Sequence, residues 1–197
     1  MKAITKKREK NRAVEILEKA FINAPGMKWM LPENAGKRSF QRILFYLLSE
    51  GIVNNGAFLT DDEKGVVLFH KIQKTPFSLR NFILKTYIFF FVTGIKNGLR
   101  ALKYQKMVSD IRPKTGWVGI LMATDEEVSG ISTVYEIKNE AFLLADKSQE
   151  YIYVETTNEK AFELYKTAGF EEYHRMNHPY RDITIWFLKR SPEPLKQ

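Results

Sequence analysis

Three histidines, nine tyrosines and no cysteine bound the chemistry open to this chain. Without cysteine there is no thiolate nucleophile, no disulfide and no Cys-based zinc site. His174 and His178 stand at i and i+4, a spacing that suits a metal only on a helix. Pro179 argues against a helix there, so no metal site is expected. His70 stands alone at the end of an apolar run. It is a candidate base, although a lone histidine in such a place is more often structural or solvated. Glu155 is a second candidate base, with a capping or ion-pair role as the competing reading. The apolar run Trp117 to Met122 holds no acid able to deprotonate an ammonium group.

The best-defined local unit runs from Tyr151 to Phe170, YIYVETTNEKAFELYKTAGF. It reads as strand, cap, helix, turn and strand. Thr156 with Glu159 fits a capping box. Ala161, Leu164, Tyr165 and Ala168 fall at i, i+3, i+4 and i+7, which puts Tyr165 on or beside the packed face of the helix. Gly169 suits the left-handed position that ends a helix, and Phe170 then opens the next strand.

The elements that must position this unit follow from period and punctuation. Residues 2–5 read as a short strand. A helix over 8–24 carries Ala13, Ile16, Leu17, Ala20 and Phe21 at its period and stops at Ala24-Pro25-Gly26. A second helix covers 37–51. Gly56 to Thr60 and Gly65 to His70 flank the polar turn Asp61-Asp62-Glu63-Lys64 and read as a hairpin. Residues 78–108 read as one long helix or a broken pair, with Gly94 and Gly98 as weak points and Phe89-Phe90-Phe91 as core. Residues 109–116 are a loop. Trp117 to Met122 is an apolar run fit for a strand buried on both faces. A helix over 131–146, a strand over 151–155, a helix over 157–168 and closing strands over 170–176 and 183–189 complete the chain.

Composition sets the class. The chain has 197 residues, 44% apolar and 27% charged, which suits one α/β domain with a helical insertion near 78–108. Its net charge of +8 is uneven: residues 1–110 carry 20 Lys/Arg against 9 Asp/Glu, and residues 111–197 carry 11 against 14. Such an excess can steer an acidic ligand. No nucleic-acid motif accompanies it, so a solvated basic surface is the preferred reading and no specific nucleic acid is expected. The N-terminus lacks the apolar core of a secretory signal, and a reducing cytoplasm is the expected location. Phe82 to Ile95 is too short to span a bilayer and is interrupted by Lys85, so no transmembrane segment is expected. Contact with a membrane surface is a minor reading, carried by Lys96, Arg100, Lys103 and Lys106.

Glu155-Thr156-Thr157-Asn158, Ala161 through Tyr165, and Gly169-Phe170 together resemble the C-terminal half of the GNAT acetyltransferases. The order of elements is similar to the GNAT plan over most of the chain. The resemblance implies an α/β (α+β) GNAT-like acyl-CoA N-acyltransferase fold, with a central mixed, mostly antiparallel sheet flanked by helices, as a single domain over 1–197. It implies an N-acetyltransferase that takes acetyl-CoA as co-substrate and a small-molecule or peptide amine as acceptor. The strands at 117–122 and 151–155 would splay. Leu121, Met122 and Ala123 would offer backbone groups to the pantetheine arm, and a backbone N–H near Met122 would stabilise the oxyanion. Val128, Ser129, Gly130, Ile131, Ser132 and Thr133 would hold the pyrophosphate at a helix N-terminus. Asn158 and Ala161 would line the pantetheine tunnel. Tyr165 would protonate the leaving thiolate while the amine attacks directly.

Each role has a competing reading: Tyr165 as a core aromatic, Asn158 as a cap, Gly130 as an ordinary turn glycine. The turn departs from the family pattern, since Glu127 stands where Gln or Arg is usual and Ser132 where Gly or Ala is usual. Asp125, Glu126 and Glu127 place three acids beside it. A catalytically degenerate acyl-CoA-binding protein therefore stays open, followed by a basic module for nucleic acid or membrane surface. The insertion has three readings: it lines the acceptor pocket, forms a homodimer contact, or covers the sheet, the last being the default.

Overall fold

The computed structural model describes residues 1–125 and 131–194. The alternating apolar runs become strands β1 (Lys2–Ala3), β2 (Ala57–Leu59), β3 (Gly65–Lys71), β4 (Trp117–Thr124), β5 (Ile152–Thr156), β6 (Glu171–Asn177) and β7 (Thr184–Arg190). They form one sheet in the order β1-β2-β3-β4-β5-β7-β6. The β4–β5 pair is parallel, while the other neighbouring pairs are antiparallel.

Helices cover both faces. On one lie α1 (Lys7–Phe21), the short α2 (Pro25–Lys28) and α3 (Lys37–Val53). The period-3.6 residues Ala13, Ile16, Leu17, Phe40, Leu44 and Leu48 meet Leu59, Val66, Leu68 and Ala123 of the sheet in one buried cluster. The other face carries α6 (Ile131–Ser148) and α7 (Glu159–Thr167), where Ile137, Ala141, Ala145 and Phe162 pack on Val67, Phe69, Val154 and Leu188.

The insertion is a broken helix. α4 (Leu79–Tyr87) starts at Ser78, whose hydroxyl accepts the Asn81 N–H at 3.3 Å. It widens into a π-helical turn over Ile88–Val92, closed by Thr93 N–H on the Ile88 carbonyl at 2.9 Å. Gly94 then takes φ +72°, a conformation that only glycine adopts at ease, and α5 (Gly94–Ile111) leaves in a new direction. Gly98 is no break. It lies inside α5, and a Cβ there would sit 2.6 Å from the Phe89 ring, so the two arms pack closely.

Four expectations need correction. Sheet cover holds for α5, through Val108 on Ile185 and Phe187, but α4 and the π turn pack on α3 through Ile88, Val92 and Ile43. Phe90 and Phe91 are exposed rather than core, because Ile88 and Val92, at i and i+4, take the inward side of the turn. α7 begins at Glu159 with Asn158 as its cap, not Thr156, whose hydroxyl instead accepts the Asn158 N–H at 3.1 Å. Leu164 is 70% exposed, and Phe162 takes the buried place beside Tyr165.

Packing rather than exposure should then set stability. Phe187→Ala, at a fully buried site between α5 and β7, should cost about 3–5 kcal/mol in urea denaturation. Leu164→Ala should stay within about 0.5 kcal/mol of the parent.

Candidate active site

The centre of the sheet contains an opening. β4 pairs with β5 only through Trp117–Ile152, Val118–Tyr153 and Gly119–Val154. Beyond that point β5 stays with β7 as far as Thr156–Trp186, and β4 stays with β3 as far as Thr124–Gly65. The two strands separate, and among the described residues the β5-facing edge of β4 has no strand partner over residues 120–124.

A bulge marks the start of the opening. Leu68 pairs with Leu121 and Phe69 with Gly119, which leaves Ile120 as the extra residue of β4. Ile120 and Leu121 both pack toward the α1–α3 cluster, and Ala123 follows them. The bulge therefore reverses the alternation, turning Met122 to the α6–α7 face beside Val67. Met122 is 38% exposed although its strand lies mid-sheet. The expectation of a strand buried on both faces fails here because β5 no longer shields this edge.

α7 supplies one wall. Tyr165 lies on the same face, packed edge-on against Phe170 with ring centroids 5.1 Å apart, in the cluster that holds Val154 and Trp186. Its hydroxyl bonds to no other group among the described residues. Burial first, and the charge of Glu155 second, raise its pKa above the ordinary phenol value. It therefore stays protonated at neutral pH. Asn158 acts as the cap that starts this helix, its Oδ1 accepting the Ala161 N–H at 3.2 Å. Gly169, at φ +88°, ends it.

The other wall is the start of α6. Val128, Ser129 and Gly130 lie outside the described residues, as do Glu126 and Glu127. Ile131, Ser132 and Thr133 are the first described residues of α6. Ser132 is exposed, while Thr133 is buried and bonds Asp62 at 3.2 Å, leaving its backbone as the available group. The third acid of the expected cluster is neutralised: Asp125 is buried against Arg12 at 2.9 Å, with Lys19 at 3.5 Å, and the Arg12 bond holds its carboxyl below the usual range.

Beyond the opening lies a group of residues of which the sequence singles out only Glu155 and His178. Arg112 grips Glu155 with two bonds of 2.7 Å, so Glu155 is an ion-pair partner. α2 abuts the end of β5, since a Cβ on Gly26 would lie 2.5 Å from Thr157 Oγ1. Trp29 follows and packs on Tyr104, His178 and Tyr180 at centroid distances of 5.3, 4.9 and 5.4 Å. His178 is buried, which lowers its pKa. Its Nδ1 accepts the Tyr180 N–H at 3.2 Å, so the proton sits on Nε2, and Nε2 has no partner among the described residues. This imidazole is neutral and is poorly set to act as a base. Tyr104 is pushed up to about 12 by burial and by Glu155. These residues sit on four separate segments, and only a turn holding His178 and Tyr180 together would have flagged them. His70 stands opposite Val118, at the closed end of the seam, with Nδ1 2.8 Å from the Lys71 carbonyl. Among the described residues no cluster of three His, Asp or Glu side chains is placed to hold a metal.

No family model matches the sequence, and no curated protein matches it. Solved structures do match. A structure described as histone acetyltransferase HPA2 and related acetyltransferase, from Corynebacterium glutamicum, is 17% identical, with 98% of this chain and 96% of that one covered at TM-score 0.63. The C-terminal condensation domain of Ebony in complex with beta-alanyl-dopamine is 13% identical, with 96% and 98% covered at TM-score 0.64. Arylalkylamine N-acetyltransferase 2 from Aedes aegypti is 12% identical, with 98% of each chain covered at TM-score 0.61. At these identities the likeness is one of fold, and the fold is that of the GNAT acetyltransferases.

The electrostatic coupling at the opening is measurable. Glu155→Gln removes the negative charge that disfavours the neighbouring phenolates. Spectrophotometric titration should then show Tyr104 and Tyr165 ionising at lower pH than in the parent.

Proposed function

We propose that this GNAT-fold chain transfers an acetyl group from acetyl-CoA to the amine of a small-molecule or peptide acceptor. One observation carries the reading: among the described residues β4 loses β5 after Gly119, which leaves its backbone edge over residues 120–124 without a strand partner, and the cluster on the α7 face of the sheet holds a protonated tyrosine. A free strand edge binds an extended ligand through main-chain hydrogen bonds. The amide-bearing pantetheine arm is such a ligand, and Leu121, Met122 and Ala123 are the residues that would hold it. In this reading the N-terminal end of α6 would hold the pyrophosphate, with the backbone N–H groups of Ser132 and Thr133 as donors. The pairing of Asp125 with Arg12 supports that use, because it removes one negative charge from the phosphate's surroundings.

The co-substrate supplies an activated thioester. The acceptor nitrogen attacks its carbonyl carbon directly; a C–N bond forms as the C–S bond breaks. A β4 backbone N–H near Met122 offers a hydrogen bond to the developing oxyanion. Tyr165 gives its proton to the departing thiolate and regains one from water. The raised pKa of Tyr165 suits this role, because the proton to be donated is in place at neutral pH. The acceptor's own proton leaves to water, since Glu155 is held by Arg112 and His70 lies at the closed end. The Trp29, Tyr104 and Tyr180 side of the opening is where the acceptor would enter.

Calorimetry with acetyl-CoA and with free CoA tests the reading, and binding of both is expected. Tyr165→Phe should keep that binding while lowering kcat on a responsive amine by about a hundredfold. Absence of CoA binding at high ligand concentration would remove the proposal. Unchanged turnover in Tyr165→Phe would remove the acid role alone.

A further inference from the structure

The insertion carries a surface that the proposed reaction does not use. Nine of the fifteen large hydrophobic side chains exposed among the described residues lie between Phe77 and Leu102, so the exposure is concentrated in one segment. On the α4 arm the outward residues are Phe82, Ile83, Phe90 and Phe91, the last 76% exposed. On α5 they are Ile95, Leu99 and Leu102, at i, i+4 and i+7, a single helical stripe. Both helices already have their inner contacts, α4 on α3 and α5 on β6 and β7. The outer stripes are therefore surplus to folding. Exposed apolar side chains concentrated in this way point to an interaction site.

The charge around the stripes says what covers them. Residues 72–109 contain seven Lys/Arg and no Asp/Glu. Lys96, Arg100 and Lys103 each follow a stripe residue of α5 by one position. Only Lys106 of the seven has a carboxylate partner among the described residues, Asp110 at 2.7 Å. A second copy of the chain would bring the same cations face to face and be repelled. A surface that is negative and also accepts aromatic and aliphatic side chains satisfies both features, and an anionic lipid bilayer is one. No helix of the described residues is long and apolar enough to cross a membrane. Contact would be by lying on the surface.

We propose that the outer faces of α4 and α5 dock the protein on anionic lipid membranes, with Phe90, Phe91, Ile95 and Leu99 entering the interface and Lys96 and Lys103 meeting headgroups. None of these six side chains is among those assigned to the cleft, although Arg100 of the same helix lies over Tyr180 at 5.3 Å, so the surface adds a location to the proposed enzyme and does not replace its chemistry.

Co-sedimentation with vesicles of phosphatidylcholine, alone or mixed with phosphatidylglycerol, tests this. The full chain should partition at least about tenfold more strongly to the anionic vesicles, and salt should release it. The double variant Lys96→Glu, Lys103→Glu should lose at least about tenfold of that binding. The double variant Phe90→Ser, Phe91→Ser, on the other arm, should lose about as much at low salt. The proposal is overturned if the parent chain stays in the supernatant with anionic vesicles at low salt, or if either variant binds as the parent does. It is equally overturned if sedimentation equilibrium shows a dimer that the phenylalanine variant dissociates while no form binds vesicles.

Discussion

Every backbone N–H and C=O of a strand in mid-sheet needs a partner, and β4 runs out of one. After Gly119 its outer edge has no neighbouring strand among the described residues, although its inner edge stays on β3 to the end. Such groups are costly to leave dry, so the edge must face water or a ligand. The rest of the site follows from this condition. The bulge at Ile120 turns two side chains into the α1–α3 core and aims Met122 the other way. α7 sets Tyr165 in the cluster that holds Val67 and Val154, and α6 starts, among the described residues, at Ile131. The opening and its donors are one feature, produced by a strand that parts from its partner.

Charge is arranged around the same feature. Each of the two diverging strands carries an acid near its C-terminal end: Asp125 just past β4, and Glu155 in β5. Each acid is held by an arginine, Arg12 of α1 and Arg112 just after α5. One cation of the basic excess of residues 1–110, Arg12, thus serves to quiet an acid beside the cleft. Glu155 still reaches Tyr104, Tyr165 and Tyr173, all of which have raised phenol pKa values in part through it. The remaining cations, on the insertion, have almost no acids to meet.

Elements were legible because period and punctuation are local properties. Tyr151 to Phe170 announced a strand, a helix and a left-handed glycine, and Gly169 takes that conformation. Where strands part is not local. Nothing in Trp117–Thr124 or Ile152–Thr156 alone says that their ladder ends after three pairs. The implied splay came from likeness to a family, and the bulge at Ile120 was invisible because its residues are as apolar as their neighbours. Phe89-Phe90-Phe91 misled for a related reason. Three consecutive aromatics cannot all face inward on a helix, and hydrophobicity does not say which side does. Asn158 outcompeted Thr156 as the cap because it lies directly before the first helical residue, where its side chain reaches the Ala161 N–H.

The three-pair ladder also has a mechanical meaning. It divides the sheet into two antiparallel plates, β1-β2-β3-β4 and β5-β7-β6, joined by three rungs of one parallel ladder. Each plate is stiff within itself, and the weakest line in the sheet is the one along which the cleft opens. A molecule spanning the gap would add rungs where the chain provides none, coupling the plates and stiffening the whole sheet.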